Sequence, residues 1–474
     1  MALPQLKLRV EPEEMAKLAT RLTELGYEES AVAEILGLWD ISQMNGHELP
    51  GYVWRCKQNG SDLAQLTLLF LLGEAMPAEV ARKLLGSDNV NNLLLCGVLF
   101  RQAGALYCHV VLYPCLGRFF FTDYWVTGGQ QEGQVYELGT DSYVLARLTP
   151  RDKSQKALDL CTGSGIHAII SASECAESDA VDINPRALTY TEMNAALNGV
   201  KLTAHLSNLF TKVKGRRFDL ITANPPYVPS PDSEVLVHRS AGETGEEVPE
   251  LLVAGLPEHL EPGGMFSMIL EYPILKSESY LDRLERWLGS EKGWGIAVLS
   301  FGEKSVEKYI KLHMGPCEDY NSKFEAYLES YHRQGIVSID FANVFILRED
   351  TEHPNWKINR RTYWPNLSLT QQMKDWLRSQ STYLNPDWKP DADWKPGLSS
   401  YYKTLWRDWD HSKGMLEADD SNWLPGDPLN KDEAELMSMM RGDKTVAEIR
   451  DAWTGSEDEF MEAFRGLGLR FALI

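Results

Sequence analysis

At 474 residues and 43% hydrophobic content the chain is long enough for two to four domains with substantial cores. A formal charge of -21 argues against a protein that lives on nucleic acid, because phosphate neutralisation supplies most of that affinity. The seven cysteines are scattered, odd in number and without C-x-x-C spacing, so neither a disulfide framework nor a zinc site is signalled, and no metal is expected.

The first ten residues, MALPQLKLRV, lack the charged-then-apolar pattern of a signal peptide, and the longest apolar runs, Leu66 to Leu72 and Leu93 to Phe100, are too short to span a bilayer. The expectation is a soluble cytoplasmic protein in a reducing compartment. Residues 12 to 38 carry helical spacing at Leu18, Leu22, Leu25, Val32, Ile35 and Leu36, with Gly26 as a stop between two helices. Leu63 to Leu72, Pro77 to Leu85 and Val90 to Leu95 continue as helices, and the alternating segments that follow predict a hairpin with a turn at Gly104. Helices followed by a hairpin fit a winged-helix-like module over residues 1 to 136. With no basic stripe on Asp88 to Cys96, it reads as a docking or capping module rather than a nucleic-acid binder.

A new unit begins at residues 137 to 148, where Thr140 to Ser142 is an N-cap cluster. Strand and helix patterns then alternate: a strand at Ala157 to Cys161, a helix from Ser164, a strand at Ala180 to Ile183, and a helix over Pro185 to Asn198. Strands at Leu202 to Leu206 and Phe218 to Ala223 follow, then a helix over Val248 to Leu260 and a strand at Met265 to Leu270. A helix over Glu278 to Leu288 and strands at Gly295 to Ser300 and Val337 to Leu347 complete the series. Such alternation predicts an α/β fold, a Rossmann-like, doubly wound sheet of seven strands whose ligands belong at the strand carboxyl ends, with an antiparallel hairpin at one edge. Beyond Arg348, eight of the fourteen tryptophans fall between Trp356 and Trp423. This extension, 349 to 430, is expected to wrap the core, since aromatics at that density pack. Residues 431 to 474 read as a small helical cap.

The chemistry concentrates at the strand ends. LDLCTGSG places Asp159 at one, followed by Gly163 and Gly165, which let the backbone approach a ligand while the helix N-terminus behind favours a carboxylate. A dinucleotide fingerprint would need a third glycine where Ala168 stands, so a dehydrogenase is disfavoured. Asp182, about twenty residues past the loop, suits ribose hydroxyls. The most informative stretch is FDLITANPPYV. Two prolines end a strand abruptly, leaving a stiff hook that offers acceptors at Asn224 and Pro225 and an aromatic face at Tyr227, an arrangement suited to a flat NH2 group. His167 reads as a packing residue, and the basic run Lys212 to Arg217 lies at the opposite end of the sheet. The loop at 229 to 247 is a candidate lid, with Arg239 placed to meet a substrate carboxylate or phosphate.

The order DLCTGSG, VDIN, SNLF, NPPY resembles the class I S-adenosylmethionine methyltransferases of the HemK-like group, the glutamine N5-methyltransferases of release factors and ribosomal proteins, over roughly residues 137 to 348. The flanking modules resemble those of a branch of methyltransferase small domain proteins. The resemblance implies that Asp159, Cys161, Gly163 and Gly165 surround the methionine part of S-adenosyl-L-methionine and that Asp182 binds the ribose. It implies that Ile183 and Leu209 flank the adenine and that Asn208 meets its amino group, where many relatives carry Asp and an amide oxygen still accepts. It implies a catalytic role for Asn224, Pro225 and Tyr227. The expected activity is N-methylation of a planar nitrogen, with a protein or peptide side-chain amide ranked first, a small-molecule amine or guanidine second and a nucleic-acid amine third. A non-catalytic scaffold would show an eroded hook or glycine loop, and both are intact.

Overall fold

The computed structural model describes residues 3, 5–124, 133–153, 155–231, 242–289, 292–314, 318–400, 402–406, 414–418, 427–470, 472 and 473. The chain opens with four helices, α1 (Pro12–Glu24), α2 (Glu29–Leu36), α3 (Leu49–Asn59) and α4 (Asp62–Phe70). The two-residue strand β1 (Met76–Pro77) precedes α5 (Ala78–Leu85) and α6 (Ser87–Leu95), and β2 (Leu99–Gln102) and β3 (Ala105–Cys108) follow. These strands form a sheet of order β1-β3-β2, with Gly104 in the left-handed region at the hairpin turn. A second hairpin, β4 (Val111–Cys115) and β5 (Arg118–Thr122), turns at Leu116 and Gly117, within a stretch that the sequence pattern runs together as one alternating segment.

The central sheet has eight strands in the order β13-β11-β12-β10-β9-β6-β7-β8. The chain reaches it through α7 (Thr140–Leu148) and lays down β6 (Lys156–Leu160), α8 (Ile166–Glu174), β7 (Glu177–Asp182), α9 (Pro185–Leu197) and β8 (Thr203–Leu206) in one direction. It then returns to the other side of β6 with β9 (Phe218–Ala223), so β6 and β9 flank the point where strand order reverses. Helices α10 (Glu247–Ala254) and α11 (Leu256–His259) lead to β10 (Leu260–Leu275), and α12 (Tyr280–Leu288) leads to β11 (Trp294–Ser305). Between β11 and β12 (Ile336–Arg348) stand α13 (Val306–Met314) and α14 (Tyr320–Arg333), two helices the strand pattern did not announce. The antiparallel strand is interior rather than at an edge, since β12 pairs with both β10 and β11. The edge is β13 (Trp356–Arg361), an eighth strand running parallel to β11 and drawn from the tryptophan-rich segment.

That topology explains the C-terminal region. A sheet apolar on both faces must be covered on both. One face packs on α10, α11 and α12 through Leu252, Leu256, Leu284 and Trp287. The crossover from β11 to β12 packs near the strand ends, where Tyr309, Ile310 and Tyr331 meet Ile336 and Ile339, and the middle of the other face is left to the C-terminal helices. There α15 (Thr370–Tyr383) packs with the last helices through Trp376, Phe460, Phe464 and Leu467 against Leu220, Ile269 and Phe345. The chain passes through β14 (Tyr402–Trp406), β15 (Gly414–Ala418) and β16 (Asp427–Pro428) to reach α16 (Lys431–Met439), α17 (Val446–Ala452) and α18 (Glu457–Leu469). Each of the last three helices starts with a capping box, Asn430 with Glu433, Thr445 with Glu448 and Ser456 with Glu459. Trp388 and Trp394 rest on Phe464 at ring separations of 6.0 and 5.5 Å. Arg147 of α7, buried, pairs with Glu29 and Asp40 at 2.8 Å each and donates to Pro365 O, tying the first and last parts of the chain together. Among the described residues no helix is long and apolar enough to cross a membrane.

Candidate functional site

The strand registers bring four polar positions to one rim. Leu160 aligns with both Val181 and Ala223, and Asp182 aligns with Leu206. The residues just past these ends are therefore neighbours around the switch point: the glycine loop after β6, Asp182 at the end of β7, Asn208 beyond β8 and Asn224 beyond β9.

At the hook, Asn224 is half-buried and its Nδ2 donates to Asp141 Oδ2 at 3.0 Å; the Tyr227 hydroxyl reaches the same oxygen at 3.4 Å. The other oxygen of Asp141 accepts from its neighbour's amide, Ser142 N, at 2.8 Å. Asp141 sits in the first turn of α7, where a helix favours an anion, and is 6% exposed. Burial pushes its carboxyl up, opposed by the hydrogen bonds from Asn224 and Ser142 and reinforced by the Glu271 charge. Since an ionised carboxylate only accepts, the amide must turn its NH2 toward Asp141, leaving Oδ1 directed away from it. Burial, with the charges of Asp141 and Glu271, keeps the Tyr227 phenol protonated.

The chain just after the hook is clamped. Tyr331 of α14 donates to Pro229 O at 2.8 Å, Ser230 N donates to Gly242 O at 3.0 Å, and the Ser230 and Tyr327 hydroxyls meet at 3.1 Å. Gly245, at φ 75°, lies so close to the hook that a Cβ would collide with Tyr227 O and Pro229. Residues 232–241 of the candidate lid, Arg239 among them, lie outside the described residues.

The glycine loop separates into two tasks. Gly165 is required by packing, since a Cβ there would come within 3.0 Å of Thr191 on α9. Gly163, at φ 54°, faces open space, and its N–H donates to Asp182 Oδ2 at 2.9 Å. Cys161 takes up the left-handed φ of 57° usually left to glycine, and burial keeps its thiol protonated. Asp159 is 1% exposed and accepts from Thr162 Oγ1 at 2.5 Å, Thr222 Oγ1 at 2.8 Å and Ala168 N at 3.3 Å. It braces the loop from beneath, where the sequence suggested a ligand contact. Burial raises it to about 6 against those hydrogen bonds.

Asp182 accepts Asn184 N on its second oxygen at 2.8 Å, so each oxygen keeps a lone pair for a diol. Pro185 and the Asn184 cap start α9 immediately behind it. Ile183 is 56% exposed and Leu206 52%, two apolar side chains left uncovered at the end of the sheet where a flat aromatic ligand would lie. Asn208 is exposed, and Leu209, at φ 43°, is half-buried beside it. His167 is buried with burial and the Arg151 charge lowering it to about 3, a neutral packing residue.

Two features escaped the sequence reading. In the sequence Asp141 stands only as part of a capping cluster. Glu271 on β10, Lys304 on β11 and His313 on α13 converge at this rim at 2.5 and 3.1 Å. Burial would raise Glu271, but the hydrogen bond and charge of His313, with Lys304, outweigh it and hold the carboxyl at about 2. Their separation in sequence, on three elements, left no local signal. The two arginines of the basic run are spent on structure: Arg216 pairs with Asp179, and Arg217 donates to Pro257 O and Leu260 O.

A family model described as the methyltransferase small domain matches residues 136–290. The chain is 32% identical over 158 residues to a putative protein N5-glutamine methyltransferase of Methanocaldococcus jannaschii, covering 32% of this chain and 79% of that one. It is 34% identical over 143 residues to a release factor glutamine methyltransferase of Koribacter versatilis, covering 27% of this chain and 51% of the relative. A ribosomal protein uL3 glutamine methyltransferase of Bradyrhizobium diazoefficiens is 34% identical over 155 residues, 30% of this chain and 49% of the relative. The chain thus spans about half the length of these last two. Among solved structures, a T. thermophilus 16S rRNA N2 G1207 methyltransferase in complex with AdoMet and guanosine aligns with TM-score 0.30 and 16% identity over 61% of this chain and 70% of that one.

Proposed function

The chain belongs to the S-adenosylmethionine-dependent methyltransferases of the HemK-like group, and from that premise we propose that it methylates the side-chain amide nitrogen of a glutamine in a protein. Acceptors of the kinds named for its relatives, a release factor or ribosomal protein uL3, are the first to try. A reaction on translation components would take place in the cytoplasm.

Bound at the rim, the cofactor supplies an electrophilic methyl group on a sulfonium. Asp182 holds the ribose hydroxyls, Gly163 leaves room for the methionine part, and Ile183 and Leu209 face the adenine with Asn208 at its amino group. Asp159 and Cys161 shape the loop. At the hook, Asn224 Oδ1 and the Pro225 carbonyl accept the two amide hydrogens of the glutamine, and Tyr227 stacks on its plane. An amide nitrogen is a poor nucleophile because its lone pair is delocalised. Gripping both hydrogens turns that lone pair toward the methyl group and stabilises the positive charge that develops on nitrogen. The nitrogen becomes acidic once alkylated and releases its proton to water without a dedicated base.

The observation that carries this reading is the Asn224–Asp141 hydrogen bond, which sets the amide in the orientation an N–H donor requires. The test combines tritiated-methyl cofactor with a release factor and with uL3, and locates the product by mass spectrometry. Methylated glutamine supports the proposal, and label confined to a nucleic-acid or small-molecule amine overturns it. Asn224→Ala should abolish transfer while leaving S-adenosylhomocysteine binding measurable by calorimetry; retained turnover would remove the assigned role.

A further inference from the structure

One side chain touches both the glycine loop and the N-terminal part of the molecule. β5 has β4 on one side, and its other edge presents the N–H and C=O groups of Phe119 and Phe121. Among the described residues no strand pairs with that edge. α9 meets it instead, with Asn194 and Asn198, one turn apart.

Phe121 N donates to Asn194 Oδ1 at 2.8 Å and Asn194 Nδ2 donates to Phe121 O at 2.9 Å. Phe119 N donates to Asn198 Oδ1 at 3.0 Å and Asn198 Nδ2 donates to Phe119 O at 2.7 Å. Two residues of strand advance about 6.8 Å and four residues of helix about 6 Å, so the amides on one helix face match two rungs of a ladder. The helix thereby satisfies a sheet edge that would otherwise bury unpaired backbone groups.

The two asparagines differ in their remaining contact. Asn198 Nδ2 also donates to Asn194 O within its own turn, at 2.8 Å. Asn194 Nδ2 donates instead to Ser164 O at 2.8 Å, between Gly163 and Gly165. Asn194 is 0% exposed, so water offers no substitute for a lost bond. Ser164 follows the residue whose N–H holds Asp182, so a shift of its carbonyl is passed to the proposed ribose contact.

We infer that Asn194 is a positioning residue that couples docking of the N-terminal block, α1–α6 with β1–β5, to the affinity of the cofactor loop. Linkage makes the coupling reciprocal: a cofactor that favours the observed loop also tightens β5 on α9, and a partner that pulls on the N-terminal block weakens the methyl-donor site. The inference rests on the reading of the glycine loop as the cofactor site.

The experiment uses the full chain, Asn194→Ala, Asn198→Ala and S-adenosylhomocysteine as probe, with calorimetry, thermal midpoints and amide exchange across Phe119–Phe121. Both variants lose a rung of the same edge, so their midpoints fall together. The probe's affinity should fall about tenfold in Asn194→Ala, the size of one lost buried hydrogen bond, and stay within about twofold in Asn198→Ala. In the wild-type chain the probe should slow exchange at Phe119 and Phe121. Equal affinity losses in the two variants, no loss in Asn194→Ala, or unchanged exchange would overturn the coupling. The wild-type exchange measurement decides the matter even if Asn194→Ala fails to fold. Failure of the wild-type chain to bind the probe at all would instead sink the cofactor reading.

Discussion

Replacing Asp141 by Asn tests whether the hook works by orientation. Ser142 N donates to Asp141 Oδ1 at 2.8 Å, so in Asp141→Asn the new side chain must keep its oxygen there and place its NH2 where Oδ2 was, facing Asn224. Asn224 then flips, offering Oδ1 to that NH2 and turning its own NH2 toward the acceptor nitrogen. One charge-assisted contact is lost and two donors confront each other, worth about 3 kcal/mol in the barrier. That corresponds to a fall on the order of a hundredfold in kcat. Removing a buried charge leaves stability unchanged or higher, and S-adenosylhomocysteine affinity stays within about twofold, because Asp141 belongs to the acceptor side.

Asp141→Ala is the control. Without a partner, Asn224 chooses its own orientation, so this variant should be more active than Asp141→Asn, although it removes more atoms. Steady-state methyl transfer to the acceptor found for the wild-type chain reads the order. Asp141→Asn within about threefold of wild type, or below wild type by the same factor as Asp141→Ala, would refute the orientation argument. Acid provides an independent check. Burial raises the Asp141 carboxyl, and a proton on Oδ2 creates the same donor-to-donor conflict, so activity falls on the acid side through this group. A folded-state pKa above the unfolded one means that protonation favours the fold. Activity and this group's contribution to stability therefore move in opposite directions as pH falls, and the Asp141→Asn profile lacks that limb.

Cys161→Gly should fold with equal or greater stability, by up to about 1 kcal/mol, because glycine adopts the left-handed backbone at φ 57° without the penalty a side chain carries; a lower denaturation midpoint would show that the thiol's packing outweighs the strain. Asp159 and Glu271 should give stability profiles of opposite sign. Asp159 is raised to about 6, so the fold takes up its proton before the unfolded chain does and loses that stabilisation as pH rises through 6. Glu271 is held at about 2, so its contribution is full above the ordinary carboxylate range and is lost as pH falls toward 2. Denaturant midpoints of Asp159→Asn and Glu271→Gln against wild type from pH 3 to 8 separate the two, and parallel profiles would contradict both assignments.

What the sequence made legible follows from range. The hook, the glycine loop and the Asp182 strand end are written in consecutive residues, because a proline pair, a pair of glycines and an acidic strand end each act on the backbone within a few positions. Their arrival at one rim followed from parallel strand order alone. The residues that aim and clamp the site are encoded elsewhere. Asp141 stands 83 residues before Asn224, and Tyr331 lies 102 residues beyond Pro229. Locally, Asp141 looks like any acidic first-turn residue, and its burial arises only when β9 and β10 pack behind α7. The eighth strand was obscured for a different reason. WKINRR alternates too sparsely to declare a strand, and its place at the sheet edge depends on β11 having a free side, a consequence of β12 inserting between β10 and β11. The C-terminal helices close the core over the middle of one face of the sheet rather than forming a detached cap, because Phe460, Phe464 and Leu467 pack with Leu220, Ile269 and Phe345. The site's rigidity is therefore distributed. Chemistry-bearing groups sit on the continuous strand-loop motifs, while orientation comes from α7, α14 and the N-terminal hairpin, and substitutions far from the hook in sequence should act on turnover through Asp141 or on cofactor affinity through Asn194.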